Sequence, residues 1–115
     1  MSRTLYVLIS GKQLIFKEGV MSVIAELAIF PLDKGVGVSD YVKQAVELLE
    51  QSGMPCEPGP MGTCVEGEWE EVMAAVNQCF LSMQMDCQRI YMTLKVDYRH
   101  GRADGMRSKV SAVTG

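Results

Sequence analysis

Positive charge is scarce in this sequence. Eleven Lys and Arg are set against fourteen Asp and Glu over 115 residues, for a formal net charge of -3. Nucleic-acid binding draws most of its affinity from phosphates neutralised by Lys and Arg, so no nucleic-acid partner is expected. Long apolar runs are also missing. Nothing approaches the roughly 20 consecutive apolar residues needed to cross a bilayer, and no membrane partner is expected. The cysteines, Cys56, Cys64, Cys79 and Cys87, include no CxxC pair, which argues against a zinc site or a dithiol redox motif. Two readings of these thiols stay open. They are buried reduced side chains of a cytoplasmic protein, since free Cys packs as a small apolar residue, or Cys56 and Cys64 face each other across a hairpin and form a disulfide. The single histidine, His100, lies in the polar stretch YRHGRADG, which reads as a solvated loop. No Ser-His-Asp set, glycine-rich phosphate loop or metal-ligand cluster can be assembled, so no catalytic residue, metal or cofactor is expected.

What is present fits one compact domain with a modest core: 48% of the residues are hydrophobic and 22% charged. The first twenty residues carry several readings. TLYVLIS and QLIFK flank Gly11-Lys12 as two β-rich apolar runs around a turn, which makes an extra hairpin. A secretory signal fits poorly, because the run from Leu5 to Ile9 is short and no small-residue cleavage site follows it. The genetic code supplies a third reading. Lys17-Glu18-Gly19 can be encoded as AAG GAG GGN, a purine-rich ribosome-binding signal a few bases upstream of the Met21 codon. On that reading residues 1–20 are a translated leader and the domain occupies residues 21–115.

From Met21 onward, hydrophobic periodicity organises the chain. In SVIAELAIFPL, Val23, Ala25, Leu27 and Ile29 fall on one side of a strand and Ile24, Glu26, Ala28 and Phe30 on the other, with Pro31 ending regular pairing. After the loop DKGVG, Ser39 is placed as an N-cap, and Val42, Ala45, Val46 and Leu49 recur at helical spacing up to Gly53, which closes the helix. Residues 55–66 read as two short strands joined near Gly59-Pro60. A second helix follows, with Trp69, Val72, Met73, Val76, Phe80 and Met83 as its apolar stripe. Glu66, Glu68, Glu70 and Glu71 crowd its start, a cluster read as capping and solvated charge. RIYMTLKVDYR alternates again, setting Ile90, Met92, Leu94 and Val96 against Tyr91, Thr93, Lys95 and Asp97, and a short helix bearing Met106, Val110 and Val113 closes the chain.

The order strand, helix, strand, strand, helix, strand predicts an α+β fold of the ferredoxin-like βαββαβ type. Two helices cover one face of a four-stranded antiparallel sheet, and the short C-terminal helix is additional. The first and last strands are neighbours in that topology. Their outer rows put Glu26, Thr93 and Lys95 among Ile24, Phe30 and Tyr91 on a face without helices. Such a face favours burial against another subunit, and a pocket there suits a small ligand. The plainer reading of Glu26 and Lys95 is an ion pair between adjacent strands, worth little where exposed.

Several of these residues carry a resemblance. Pro60-Met61-Gly62-Thr63 followed by Glu66-Gly67, Ala25-Glu26-Leu27 in the first strand, Ser52-Gly53 after the first helix, and Lys95-Val96-Asp97 running to Arg99 resemble the YkoF-like thiamine-binding family. The likeness covers residues 21–113, with Lys109, Val110 and Val113 fitting the closing helix. It implies a ferredoxin-like subunit assembled through its sheets into dimers and tetramers. Such proteins bind thiamine or its hydroxymethylpyrimidine portion without known chemistry. The family pattern starts close to Met21.

A site for thiamine needs an acceptor for the pyrimidine amino group, donors for ring nitrogens, flat surface for stacking and negative charge near the thiazolium. Glu26 offers acceptor and charge, Thr63 and Thr93 offer hydroxyls, and Phe30 or Tyr91 offers a ring. Gly62 is read either as room for a ligand to approach the backbone or as a turn or bulge residue. Lys95 orients Glu26 or meets a phosphate, in which case a phosphorylated thiamine binds better than the free form. The expected function is non-catalytic binding at the sheet face or subunit interface, as carrier or sensor. The alternatives are a small cofactor-free oxygenase or isomerase of the same fold and a metabolite-sensing regulatory module.

Overall fold

A computed structural model describes residues 4–9, 13–18, 22–101 and 104–114. Strands β1 (Thr4–Ile9) and β2 (Gln13–Glu18) pair antiparallel as a separate two-stranded sheet, with Thr4 opposite Glu18 and Ile9 opposite Gln13. The turn expected at Gly11-Lys12 and the start expected at Met21 lie outside the described residues.

Strand β3 (Val23–Pro31) alternates buried and half-buried side chains along its whole length. Val23, Ala25, Leu27 and Ile29 enter the core, because successive strand side chains point to opposite faces. Pro31 is its last residue, and the next amide, Leu32, already bonds the Arg89 carbonyl at 2.8 Å. Backbone groups alternate sides along a strand, so the proline nitrogen points away from that partner, where no ladder bond is lost.

Helix α1 (Val38–Gln51) starts earlier than expected. A 3-10 turn over Gly35–Gly37, entered at Gly35 with φ +54°, leads straight into it, and the N-cap position is Gly37 with no side-chain bond. Ser39 is therefore a helical residue and not the cap. The other end closes as expected: the Ser52 hydroxyl bonds the Leu49 carbonyl at 2.5 Å, and Gly53 turns the chain away at φ +86°.

Strands β4 (Cys56–Pro58) and β5 (Thr63–Gly67) follow, joined by a turn in which the Gly59 amide bonds the Gly62 carbonyl at 2.9 Å. Helix α2 (Trp69–Gln84) opens with a capping box between Glu68 and Glu71. Its inner face is Val72, Ala75, Val76, Cys79 and Met83. Trp69, expected in that stripe, is 49% exposed instead, because the first helical residue projects past the sheet toward Val96 and Tyr98. Tyr41 on α1 donates its hydroxyl to Asp86 just beyond α2 at 2.5 Å, tying the two helices together at one end.

Strand β6 (Ile90–Tyr98) completes an antiparallel sheet of order β4-β5-β3-β6 with α1 and α2 on one face, the ferredoxin-like arrangement. As an edge strand, β6 is only partly roofed. Ile90 and Leu94 pack on the core, whereas Met92 and Val96, of the same row, remain exposed. Helix α3 (Gly105–Thr114) meets the sheet from the other side, where Lys109 pairs with Asp97 at 3.0 Å. The helix-free face is thus covered at one end.

Candidate functional site

Strand register decides which side chains meet on the face opposite α1 and α2. Glu26 is flanked by Cys64 on β5 and Lys95 on β6, Ala28 lies opposite Thr93, and Phe30 lies opposite Tyr91. Lys95 Nζ stands 3.3 Å from Glu26 Oε1, and the Phe30 and Tyr91 ring centroids are 5.4 Å apart with the planes tilted by 31°. Between the charged pair and the ring pair, Ala28 is the lowest point of the row. Strand β5 begins at Thr63, opposite Leu27, so Ala28 and Phe30 have no strand partner on that side and border the Gly59–Gly62 turn instead. The result is a shallow trough with a polar end, a small-residue floor carrying the Thr93 hydroxyl, and an aromatic end.

The Glu26 carboxylate faces solvent in part: its side chain is 34% exposed and that of Lys95 79%. Their ion pair is therefore screened and adds little stability, which leaves the carboxylate available to a competing cation. Cys64 Sγ approaches Glu26 Oε2 at 3.9 Å, and burial followed by the charge of that carboxylate pushes the Cys64 thiol up from its ordinary range. Gly62 serves this arrangement directly. A Cβ there would stand 3.0 Å from Glu26 Cγ and 3.2 Å from the Leu27 carbonyl oxygen. The missing side chain lets the Glu26 stem lie flat against the turn, and the turn reading of Gly62 and its place beside the trough hold together.

Thr63 does not join the trough. It is paired with Leu27, whose side chain points into the core, so Thr63 turns toward the helices and is 4% exposed. The structure thus brings Glu26, Phe30, Tyr91, Thr93 and Lys95 to one face, seats Gly62 against Glu26, and places Thr63 on the opposite side of the sheet. The disulfide reading fails for the same kind of reason. Cys56 pairs with Val65 and Cys64 with Glu57, which sends the two thiols to opposite faces, and all four cysteines are free.

Sequence reasoning missed Glu66. It belongs to no solvated cluster: it is 4% exposed and accepts bonds from Ser22 Oγ at 2.7 Å, Gly105 N at 2.6 Å and Met106 N at 3.0 Å. The alternation of TCVEG carries a signal for this, since Cys64 and Glu66 share a face there. Gly67 has a packing role as well, because a Cβ would stand 2.5 Å from the Met54 sulfur. Among the described residues no group of three or more His, Cys, Asp or Glu side chains could hold a metal ion, and no helix is long and apolar enough to cross a membrane.

Comparison with known proteins shows the family and the fold. The family model for thiamine-binding proteins matches residues 25–114. A UPF0045 protein of Methanocaldococcus jannaschii is 34% identical over 91 residues, 79% of this chain and 91% of that protein. Its crystal structure superposes with a TM-score of 0.74, covering 80% of this chain and 95% of that one. A UPF0045 protein of Mycobacterium bovis is 36% identical over 94 residues, 81% of this chain and 92% of its own length. A solved Thermotoga maritima structure, provisionally described as a thiamine biosynthesis/salvage protein, is 28% identical with a TM-score of 0.72, covering 79% of this chain and 97% of that one. With a matched span that runs from the Glu26 strand through the PMGT turn to the closing helix, this chain belongs to the thiamine-binding protein family.

Proposed function

We propose that this chain binds thiamine, or its hydroxymethylpyrimidine portion, in the trough on the helix-free face and does so without turnover, as a carrier or sensor. The observation that carries the reading is the graded row from Glu26 and Lys95 across Ala28 and Thr93 to Phe30 and Tyr91. Four strand residues span about 13 Å, a length suited to a molecule of two linked rings. Phe30 or Tyr91 stacks on the flat pyrimidine, the Thr93 hydroxyl meets a ring nitrogen or the amino group, and Glu26 offers its charge to the thiazolium. Lys95 competes for that carboxylate in the empty trough and turns to a phosphate when the ligand carries one.

Tyr91 and its neighbours on β6 are exposed in the single chain, so the working form is a homo-oligomer, dimer or tetramer, in which a second copy roofs the trough. Free thiols suit a reducing, cytoplasmic setting.

Thermal unfolding titrated with thiamine, hydroxymethylpyrimidine and thiamine phosphates tests the reading. A ligand that binds only the folded state adds RT ln(1 + [L]/Kd) to its stability, so Tm rises with concentration. Glu26→Gln weakens the rise, whereas Glu70→Gln, on the outer face of α2, leaves it intact. An equal effect of the two substitutions, or no rise with any of the compounds, overturns the proposal. Recovery of chemically altered thiamine would instead favour an enzyme.

A further inference from the structure

Two polar ties hold α3 on the helix-free face, and both lie in one row of the sheet. Glu66 on β5 takes the Gly105 amide at 2.6 Å, and Lys109 Nζ meets Asp97 on β6 at 3.0 Å. Ile24 of β3 is the residue opposite both Glu66 and Asp97, so the helix runs across three strands above it. The next row on the same face is Cys64, Glu26 and Lys95, the polar end of the trough. Two strand residues advance about 7 Å, and a helix with its side chains is about 5 Å in radius, so α3 borders that end as a wall. Burial fastens it little. Among the described residues of α3 only Gly105 is buried, and Val110 and Val113 are exposed. The half of the helix beyond Lys109 therefore leans on the Lys109–Asp97 pair, while Glu66 holds the start.

Four charges alternate where these two rows meet: Glu26, Lys95, Asp97 and Lys109. Lys95 and Asp97 sit two residues apart on one face of β6, a spacing that the flexible lysine stem spans. Both ion pairs are open to water, with side chains 79% and 34% exposed in Lys95–Glu26 and 58% and 48% exposed in Lys109–Asp97, so partners exchange at little cost. We propose that this row of charges reports the state of the trough to α3. When a cationic ligand takes the Glu26 carboxylate, Lys95 turns to Asp97, Lys109 loses its partner, and the end of α3 beyond it is released while Glu66 keeps the first turn capped. No bond or proton is transferred; one cation displaces another along the row. A firm cap at one end and a weak tie at the other give α3 two arrangements, and a two-state element biased from a binding site is what coupling requires. The ligand step rests on the thiamine reading and gives its sensor form a moving part, whereas the coupling among the four side chains stands without it.

Amide hydrogen exchange of the full chain, followed by NMR, tests the coupling without any ligand. Glu26→Gln removes the charge that Lys95 faces and so imitates an occupied trough. Amides of residues 110–114 should then exchange about threefold faster, within the worth of one exposed ion pair, while those of Gly105 and Met106, held by Glu66, keep their rates. Lys95→Met added to Glu26→Gln should abolish the acceleration. Asp97→Asn alone should release the same residues, and Glu26→Gln should add nothing further in that background. Rates in α1 serve as the check on the fold, because a general loss of stability would raise them too. Unchanged α3 rates in Glu26→Gln, or an acceleration that survives Lys95→Met, overturns the proposal. Thiamine added to the unaltered chain is a separate arm. Saturable shifts on β3 with residues 110–114 released support both readings, and saturable shifts with α3 unmoved overturn the coupling. No shift on β3 overturns the thiamine reading alone, and the substitutions still decide the coupling.

Discussion

Glu66 on β5 accepts the backbone N–H of Gly105, the first residue of α3, at 2.6 Å across a separation of 39 residues in the chain. The same carboxylate takes the Met106 N–H at 3.0 Å and the Ser22 hydroxyl at 2.7 Å. The first amides of a helix have no partner within it, and the helix dipole favours a negative charge there. A strand residue thus serves as the cap of a distant helix, and the helix is held on the face that carries the trough.

Removal of that cap should loosen α3 before the rest of the protein. Glu66→Ala leaves the Gly105 and Met106 amides unsatisfied and should cost about 3 kcal/mol, given that hydrogen bonds to charged groups are the strong ones. Amide hydrogen exchange checks this. Residues of α3 should exchange much faster in the variant, with α1 less affected, and uniform acceleration would contradict a local cap.

Two glycines should respond differently to a methyl group. In Gly67→Ala the new Cβ meets the Met54 thioether, a flexible group that can turn, so the cost should be about 1 kcal/mol by denaturant unfolding. In Gly62→Ala the Cβ meets the Leu27 backbone carbonyl as well as the Glu26 stem. That substitution should cost more and should weaken any thiamine-induced rise in Tm, because Glu26 is displaced. Gly67→Ala combined with Met54→Ala should cost less than the sum of the two single changes, as expected for residues in contact.

Cys64 should report on Glu26. Burial and the adjacent carboxylate both hold its thiol protonated, so alkylation at neutral pH should be slow. Glu26→Gln removes the charge, lowers the Cys64 pKa toward its ordinary value and should speed alkylation at residue 64 several-fold. Peptide mapping against pH measures this. No change in rate or midpoint would separate the two side chains.

Alkaline stability should depend on Cys79. Burial pushes this thiol up from 9.0 to about 11, so above pH 9 the unfolded chain releases a proton that the folded chain retains. A raised folded pKa contributes stability that is complete below the unfolded value and is lost as pH climbs toward the folded one. Unfolding midpoints should therefore fall between about pH 9 and 11. Cys79→Ala should lower stability at neutral pH through a small cavity yet flatten that decline.

The inner row of β3 was legible from period-two alternation, and all of Val23, Ala25, Leu27 and Ile29 reach the core. The same local rule set Glu26 beside Lys95 once the ferredoxin-like order made β3 and β6 neighbours. It did not separate Thr63 from Glu26. That follows from register: Glu26 lies opposite Cys64, so its neighbour Thr63 faces the other way, and a slip of one residue would have exchanged their sides. Trp69 illustrates a different gap. Helical spacing places it in the stripe, but only the position of α2 relative to the sheet edge decides whether the stripe's first member finds anything to pack against.

By itself, the sequence determined the elements, their order and the polarity of each face, because these depend on the backbone's own periods and on residues a few positions apart. Tertiary structure alone decided that Thr63 turns to the helix side of the sheet, that Cys56 and Cys64 part company, and that Glu66 closes a helix it does not belong to. Each of those depends on pairing between distant segments, where the energy of a contact appears only after the chain between them has been ordered.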